Sequence, residues 1–427
     1  MLKKMTHNMW FKDGCMPDWF LIEVLCRVPI KSVFRFKSVS KQWLSLISHP
    51  SFARFYISQA SALPGQCQQW VFLFKRMHVE GSTISHFADQ HNKPLANMYS
   101  CNPTSPDFHI LPLPDSQEAK GQTCFIRAIH NGFLLYGWFQ YKPYLYNHIV
   151  EYYICNPVTK QWFALPAPKH LFKQVNVGFV TQVEAGILRS YKVVLVHCCP
   201  QKRGFLEFEI FSSESGIWED FVVNSGCAIR ISCHHKPIFF EENLHWSDSE
   251  LGIIAYDPYN NPNEFRIIEF PTDADGEYSM SRYGFNSSMY GVHQGYLKYF
   301  EVSRPLQQGF SDFKIWVLED YNSNKWFLQH TVRNEEIIVD DSLHLRMLTA
   351  IPVAFHPYDA DIVYLGWNNN LVTFNIQTRR LKSLGFPNNP KEIYQISGEA
   401  CWSCFLFVLP IWPVRIPLSL SAGADSL

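Results

Sequence analysis

Apolar positions along this chain change their period once. From residue 16 to residue 50 they recur every three or four positions. From Trp70 onward they alternate or run together in short bursts. The first pattern predicts helices and the second predicts strands. In the helical part, Asp18 can cap a helix beginning near Trp19, and Leu21, Val24, Leu25 and Val28 follow on one face. Pro29 suits the first turn of a second helix, where its missing N–H costs nothing, and Val33 and Phe36 continue the stripe. Val39, Trp43, Leu46 and Ile47 form a third stripe that Pro50 brings to an end. A unit this small cannot bury all of these side chains within itself. Some of Phe20, Leu21, Leu25, Pro29, Ile30 and Val33 should therefore face outward, against another polypeptide or against the later part of the same chain.

Residues 51–69 read as a helical tail and a polar linker. Beyond them one phrase recurs: an apolar strand, a turn rich in Asn, Asp, Ser or Pro, an aromatic or aliphatic marker, and a strand often closed by Leu-Pro or Phe-Pro. Asn102-Pro103 leads to Phe108 and Leu113-Pro114, and Asn156-Pro157 leads to Trp162 and Leu165-Pro166. Ser212-Ser213 leads to Trp218, and Asp257-Pro258 leads to Phe265 and Phe270-Pro271. Asp320 leads to Trp326, and Asn375 leads to Leu381. Successive markers lie 54, 56, 47, 61 and 55 residues apart. A period near 50 with four short strands per unit predicts an all-β domain, a β-propeller of about six blades. Asn-Pro and Asp-Pro reverse the chain between the two outer strands of a blade. The aromatic after the turn then fills the gap between neighbouring blades. Tight turns around Asn, Gly or Glu stand upstream, in FIRAIHNGFLLYGW, KPIFFEENLHW, MYGVHQGYLKYFEV and DIVYLGWNNNLVTF. The apolar segment Glu399–Pro417 reads as a strand that returns to the first blade and hides its edge. A β-sandwich of irregular strands is the competing architecture.

Composition narrows the function classes. Apolar residues are 47% of 427, enough for a large core and two to three domains, and 34 Phe with 13 Trp fit stacked sheets. The net charge of −1 excludes a global pull toward nucleic acid. The charge is uneven: residues 1–60 carry nine Lys/Arg against three acids, while the remainder carries 28 against 35. A basic head on an acidic body suits an acidic protein partner; a solvated helix face is the plainer reading. No apolar run follows Lys3 and Lys4, and Cys401–Trp412 is broken by Ser403 and Pro410. The expectation is a soluble chain of the cytoplasm or nucleus, with no membrane partner, whose twelve cysteines stay reduced.

Candidate chemistry is sparse. Cys401 and Cys404 have CxxC spacing, but in a strand their sulfurs would point to opposite faces. A zinc site needs a second ligand pair, and Cys198, Cys199, Cys227, Cys233, His234 and His235 do not have the spacing for one. The stretch Ser212–Trp218 echoes an Asp-box and reads as a blade turn. Glu335-Glu336 and Asp340-Asp341 read as solvated loop rather than as an acid/base dyad. There is no phosphate-binding loop, nucleophile elbow or HExxH pair. No catalytic residue, metal site or cofactor is expected. Tyr141, Tyr144 and Tyr146, in the Tyr-rich loop 141–148, and Phe310, in the loop 304–310, are candidates for contact with a target protein.

The run from Pro17 through Glu23-Val24-Leu25-Cys26-Arg27-Val28-Pro29-Ile30-Lys31-Ser32-Val33, Arg35-Phe36-Lys37, Val39-Ser40-Lys41 and Trp43 to Leu46-Ile47 resembles an F-box of the plant type. Met16 stands where that family has Leu, Trp19 where it has Asp, and Phe20 where it has Leu. The body resembles the F-box-associated domain: Cys155–Trp162 with Leu165-Pro166 matches its recurrent phrase, and Val353–Pro357 with Asp361–Leu365 is similar to another. The double glycine of kelch blades is absent. The resemblance implies a three-helix F-box over 16–57, a linker over 58–69 and a propeller-like domain over 70–417, with 1–15 and 418–427 flexible. It implies a non-catalytic substrate-recognition subunit of an SCF-type (cullin–RING) ubiquitin ligase. Pro17, Phe20, Leu21, Leu25, Val28, Pro29, Ser32 and Val33 would then lie at or near a Skp-type adaptor, and the β domain would hold an unnamed target. Two alternatives stay open. One is a propeller-fold enzyme such as a glycan-processing hydrolase; the other is a scaffold that binds partners without delivering a target.

Overall fold

The computed structural model describes residues 17–62, 70–78, 81–87, 122–142, 145–159, 161–170, 175–197, 204–231, 236–248, 251–271, 287–302, 312–339, 350–367, 370–383, 405–414 and 416–417. Four helices come first: α1 (Asp18–Leu25), α2 (Ile30–Phe36), α3 (Lys41–Ser48) and α4 (Pro50–Ala62). Three were expected. His49 ends α3 by turning extended, and Pro50 opens a new helix instead of stopping one, since a first-turn proline leaves no N–H to satisfy. α4 continues to Ala62, through residues expected to begin the linker. None of the described helices is long and apolar enough to cross a membrane.

The strands form six sheets among the described residues: one of three strands, four of four and one of five. The first sheet holds β1 (Trp70–His78) and β2 (Gly81–Phe87). The second is β3 (Gln122–His130), β4 (Phe133–Lys142), β5 (Leu145–Asn156) and β6 (Gln161–Ala164). The third is β7 (Val175–Glu184), β8 (Ile187–His197), β9 (Phe205–Ser212) and β10 (Ile217–Asn224). The fourth is β11 (Ile238–Phe240), β12 (Asn243–Ser247), β13 (Ile253–Tyr256) and β14 (Arg266–Ile268). The fifth is β15 (Ser287–His293), β16 (Tyr296–Val302), β17 (Phe313–Asp320) and β18 (Lys325–Val332). The sixth adds the short β19 (Ile338–Val339), parallel to β23, to β20 (Ile351–Phe355), β21 (Ile362–Trp367), β22 (Asn370–Asn375) and β23 (Arg380–Ser383). A last strand, β24 (Phe405–Val408), pairs with β1 from Trp70↔Val408 to Leu73↔Phe405 and completes the first sheet.

Each sheet packs on the next through an apolar layer, and the series returns to its start. Leu73 and Phe407 of the first sheet meet Leu134 and Tyr136 of the second. Phe163 meets Phe179 and Trp218, and Phe208 stacks on Tyr256 at 4.1 Å. Ile253 meets Tyr299, Phe313 meets Phe374, and Tyr364 of the sixth meets Trp70 of the first. The architecture is a closed β-propeller, not a sandwich. Closure explains the patterning. Middle strands are covered on both faces, so Val193–Val196 of β8 are all buried, whereas outermost β18 alternates exposed with half-buried residues.

Two local devices repeat from blade to blade. First and second strands join through two-residue turns with both φ positive, at Asn131-Gly132 (48° and 79°), Ala185-Gly186, Glu241-Glu242 and Gln294-Gly295. Third and fourth strands join through turns that a short polar side chain organises. Asn156 Oδ1 accepts from Val158 N and Thr159 N at 2.9 and 3.1 Å, and Asp257 Oδ1 accepts from Tyr259 N and Asn260 N at 2.8 and 3.0 Å. Asp320 accepts from Asn322 N and Asn375 from Thr378 N. The recurrent aromatic and the recurrent Leu-Pro or Phe-Pro turn out to be two halves of one lock. Trp218 Nε1 donates to Pro166 O at 2.9 Å beside Leu165 of the preceding blade. Trp326 Nε1 donates to Glu269 O at 2.8 Å beside Phe270. Trp162, the same position one blade earlier, is 46% exposed, and the first sheet has no fourth strand to cover it among the described residues.

Burial leaves imidazoles that resist protonation. His245 on β12 is fully buried against Tyr321, its Nε2 2.8 Å from Tyr321 Oη, and burial pushes its pKa down to about 3. Burial pushes His130 down to about 4. The unfolded chain binds protons at these sites as pH falls below about 6.5, while the folded chain does not, so stability falls with pH through that window. We expect urea unfolding to show a loss of about 1.4 kcal/mol per pH unit per such histidine between pH 6.5 and 5. His245→Gln should flatten the slope; an unchanged slope would remove His245 from this account.

Candidate functional site

The helical module owes its geometry to two prolines and a serine. Pro17 and Pro29 each precede a helix in extended backbone, with ψ of 140° and 142°. Their carbonyls accept from Leu21 N at 3.1 Å and Val33 N at 3.2 Å. Asp18 is thus the first residue of α1 and not its cap; its Oδ1 accepts from Gln42 Nε2 at 2.9 Å and ties α1 to α3. Pro29 likewise lies just outside α2. Ser40 caps α3, its Oγ accepting from Trp43 N at 3.2 Å.

Leu21, Leu25, Val33, Ile47, Phe52 and Tyr56 converge on one core. Of the six residues of which some were expected to face outward, Pro29 does, and Leu21, Leu25 and Val33 do not. They are 2%, 0% and 0% exposed, because α4 supplies Phe52, Ala53 and Tyr56 as the missing half of the core. Tyr56 Oη donates to Val28 O at 3.0 Å and pins the α1–α2 corner. A further member comes from far along the chain: Trp412, whose ring centroid lies 5.2 Å from that of Phe34 and 5.5 Å from that of Tyr56.

Val39, Leu44 and Phe55 are exposed singly, and a narrow apolar stripe remains outside along α1 and its exit. Phe20, Val24 and Val28 stand four residues apart on one face of α1 and its exit, followed by Pro29. Val24 is 41% exposed and Pro29 is exposed, while Pro17, Phe20, Val28 and Ser32 are half-buried. Trp19, 62% exposed, sits edge-on to Phe20 at 5.8 Å. Exposed Arg27, paired with Glu23, exposed Arg35 and exposed Lys41 make the module's surface basic. The structure therefore brings Pro17, Phe20, Val28, Pro29 and Ser32 to one accessible side and withdraws Leu21, Leu25 and Val33. Trp19 and Val24 belong with the accessible set; the signal for Val24 is its four-residue spacing from Phe20 and from Val28.

The expected target contacts divide. Tyr141 lies on β4 and Tyr146 on β5, at the end of the hairpin where these strands meet. That end is opposite to the Asn131-Gly132 turn. Tyr144 and Phe310 lie outside the described residues, as do Cys401, Cys404, Asp340 and Asp341. Glu335 and Glu336 form an exposed turn of 3-10 helix in which Glu336 Oε2 accepts from Arg333 N at 2.9 Å.

The chain matches the family described as the F-box domain over residues 15–55. It matches "F-box protein At3g26010-like, beta-propeller" over residues 102–408. Among curated relatives, F-box protein At3g26010 of Arabidopsis thaliana is 26% identical, covering 94% of this chain and 90% of its own. F-box protein At5g49610 of the same organism is 24% identical, covering 94% and 95%. Among solved structures, the GH93 α-L-arabinofuranosidase of Fusarium graminearum with arabinobiose overlaps 65% of this chain and 84% of its own, at 12% identity and a TM-score of 0.35. AztD of Citrobacter koseri overlaps 75% and 82%, at 8% identity and a TM-score of 0.32.

Cys26 reports on whether the module is closed. Burial, reinforced by the charge of Glu23, pushes its thiol up to about 11, and burial pushes Cys155 up to about 12. Thiolate is the reactive form, so both should alkylate far more slowly at pH 8 than half-exposed Cys227. Peptide mass spectrometry after brief iodoacetamide treatment checks the order. Leu25→Ala should accelerate Cys26 selectively by opening the core around it.

Proposed function

Because the chain belongs to the F-box proteins that carry an At3g26010-like β-propeller, we propose that it is the substrate-recognition subunit of an SCF-type ubiquitin ligase. Its helices bind a Skp-type adaptor, and its ring holds a target protein for ubiquitination. The observation that carries the reading is the accessible set of Trp19, Val24 and Pro29, flanked by half-buried Phe20 and Val28, on a module whose Leu21, Leu25 and Val33 are already buried. Apolar surface that the fold leaves uncovered is surface a partner can cover. The basic residues around it suit an acidic partner.

No side chain of this chain needs to make or break a bond in this mechanism. One end engages the ligase and the other raises the local concentration of the target near the conjugating enzyme. The placement of Tyr141 and Tyr146 at the end of the ring away from the β3–β4 turn supports a division of labour between two faces. Targets would meet one face and the helices the other.

Capture of the full chain on a Skp-type adaptor tests the reading. Trp19→Ala with Pro29→Ala should weaken binding tenfold or more, since each buried apolar contact contributes ~1.5–3 kcal/mol. Leu25→Ala should also lose binding, but through a cavity costing ~2–5 kcal/mol, visible as a lowered melting temperature of the helices. Undiminished capture of the double variant would sink the interface. The scaffold alternative is tested separately: deletion of the chain from cells should raise the abundance of at least one binding partner, and a flat proteome would favour the scaffold.

A further inference from the structure

We propose that the segment following β24, described over residues 409–414 and 416, is a strap that sets the pose of the helical module on the ring, with Trp412 as its positioning residue. The segment lies beyond both family matches, which end at residues 55 and 408. From the end of β24 it runs across the face that carries the first-to-second-strand turns. Leu409 packs in the layer between the first and second sheets. Pro410 then crosses the Asn131-Gly132 turn so closely that a Cβ on Gly132 would lie 2.9 Å from its Cγ. Trp412 crosses the Ala185-Gly186 turn one blade further on, where a Cβ on Gly186 would lie 2.2 Å from its Cδ1. Val414 and Ile416 drop into the layer between the second and third sheets. There Asn156 Nδ2 donates to Val414 O at 2.8 Å, and Ile416 N donates to Gln161 Oε1 at 3.3 Å.

Trp412 is the point at which this strap meets the helices. Its indole is buried with Phe34, Phe52 and Tyr56 on one side and the Gly186 turn on the other, so one side chain belongs to both the module and the ring. Arg54 of α4 adds an ion pair to Glu184, at the end of β7 beside the same turn. The contact is small, apolar and centred, with a charged pair at its margin, the arrangement in which one aromatic anchor dominates. The consequence deepens the ligase reading and rests on it only in its meaning: a strapped module presents its adaptor surface at a fixed angle to the ring, whereas an unstrapped one takes many angles.

The test measures the pose itself and needs no adaptor, so its failure is distinct from failure of the ligase reading. The full chain carries bio-orthogonal probes at Ser45 of α3 and Glu219 of β10, both exposed. Pulsed-dipolar spectroscopy should give one narrow distance. Trp412→Ala should replace it with a broad distribution, and Trp412→Phe should restore it in part. Gly186→Ala should broaden it too, because the new methyl displaces the indole. Gly295→Ala is the control: its turn has the same geometry, φ +78° against +73°, with nothing within 4 Å, so it carries the backbone cost alone and should leave the distance narrow. A narrow distance in both Trp412→Ala and Gly186→Ala would overturn the proposal, as would equal broadening in Gly295→Ala.

Discussion

The fold rests on one pairing between distant parts of the chain. A ring of sheets has two loose edges until its first and last blades are joined, and here four residue pairs between β1 and β24 join them. Without that ladder the first sheet would present two strands with an open inner edge, and the layer shared by Trp70, Tyr364 and Leu371 would lose its cover. Every other blade can be assembled from neighbours in sequence. Only this one requires residues more than three hundred positions apart to find each other, and the apolar layers around the ring are continuous because they do.

Much of this was readable in advance, for local reasons. The Asn156 and Asp257 turns are organised by side chains acting on N–H groups two and three residues ahead, so composition at those points carries the geometry. The two-residue hairpins at Asn131-Gly132 and Gln294-Gly295 are legible because few residue pairs accept positive φ twice in succession. The hairpin at Ala185-Gly186 has the same form, but its alanine gives no turn signal and only the glycine marks it. The alternation of the sheets was legible because it records which face is covered, a local property of each strand.

The rest depended on contacts that periodicity cannot express. A helical stripe states that Leu21, Leu25 and Val33 share a side; it does not state what that side meets. What it meets is α4, which brings Phe52 and Tyr56 to the same place, while Pro29 of the same stretch stays outside. Trp162 and Trp218 occupy matching positions in matching phrases, and one is exposed while the other is buried, a difference the phrase does not carry. Trp412 left no local trace at all. Patterning gives its segment only as a closing strand, and the strand proper stops at Val408.

The late position of β24 also imposes an order on biosynthesis. A chain emerging from the ribosome exposes its helices first and its ring last, and the first sheet stays incomplete until residues 405–408 have appeared. A message cut short anywhere upstream of that point would yield helices attached to an open, edge-exposing array. Such a product would be prone to aggregate and to be degraded, so the synthesis of β24 acts as a checkpoint on everything made before it.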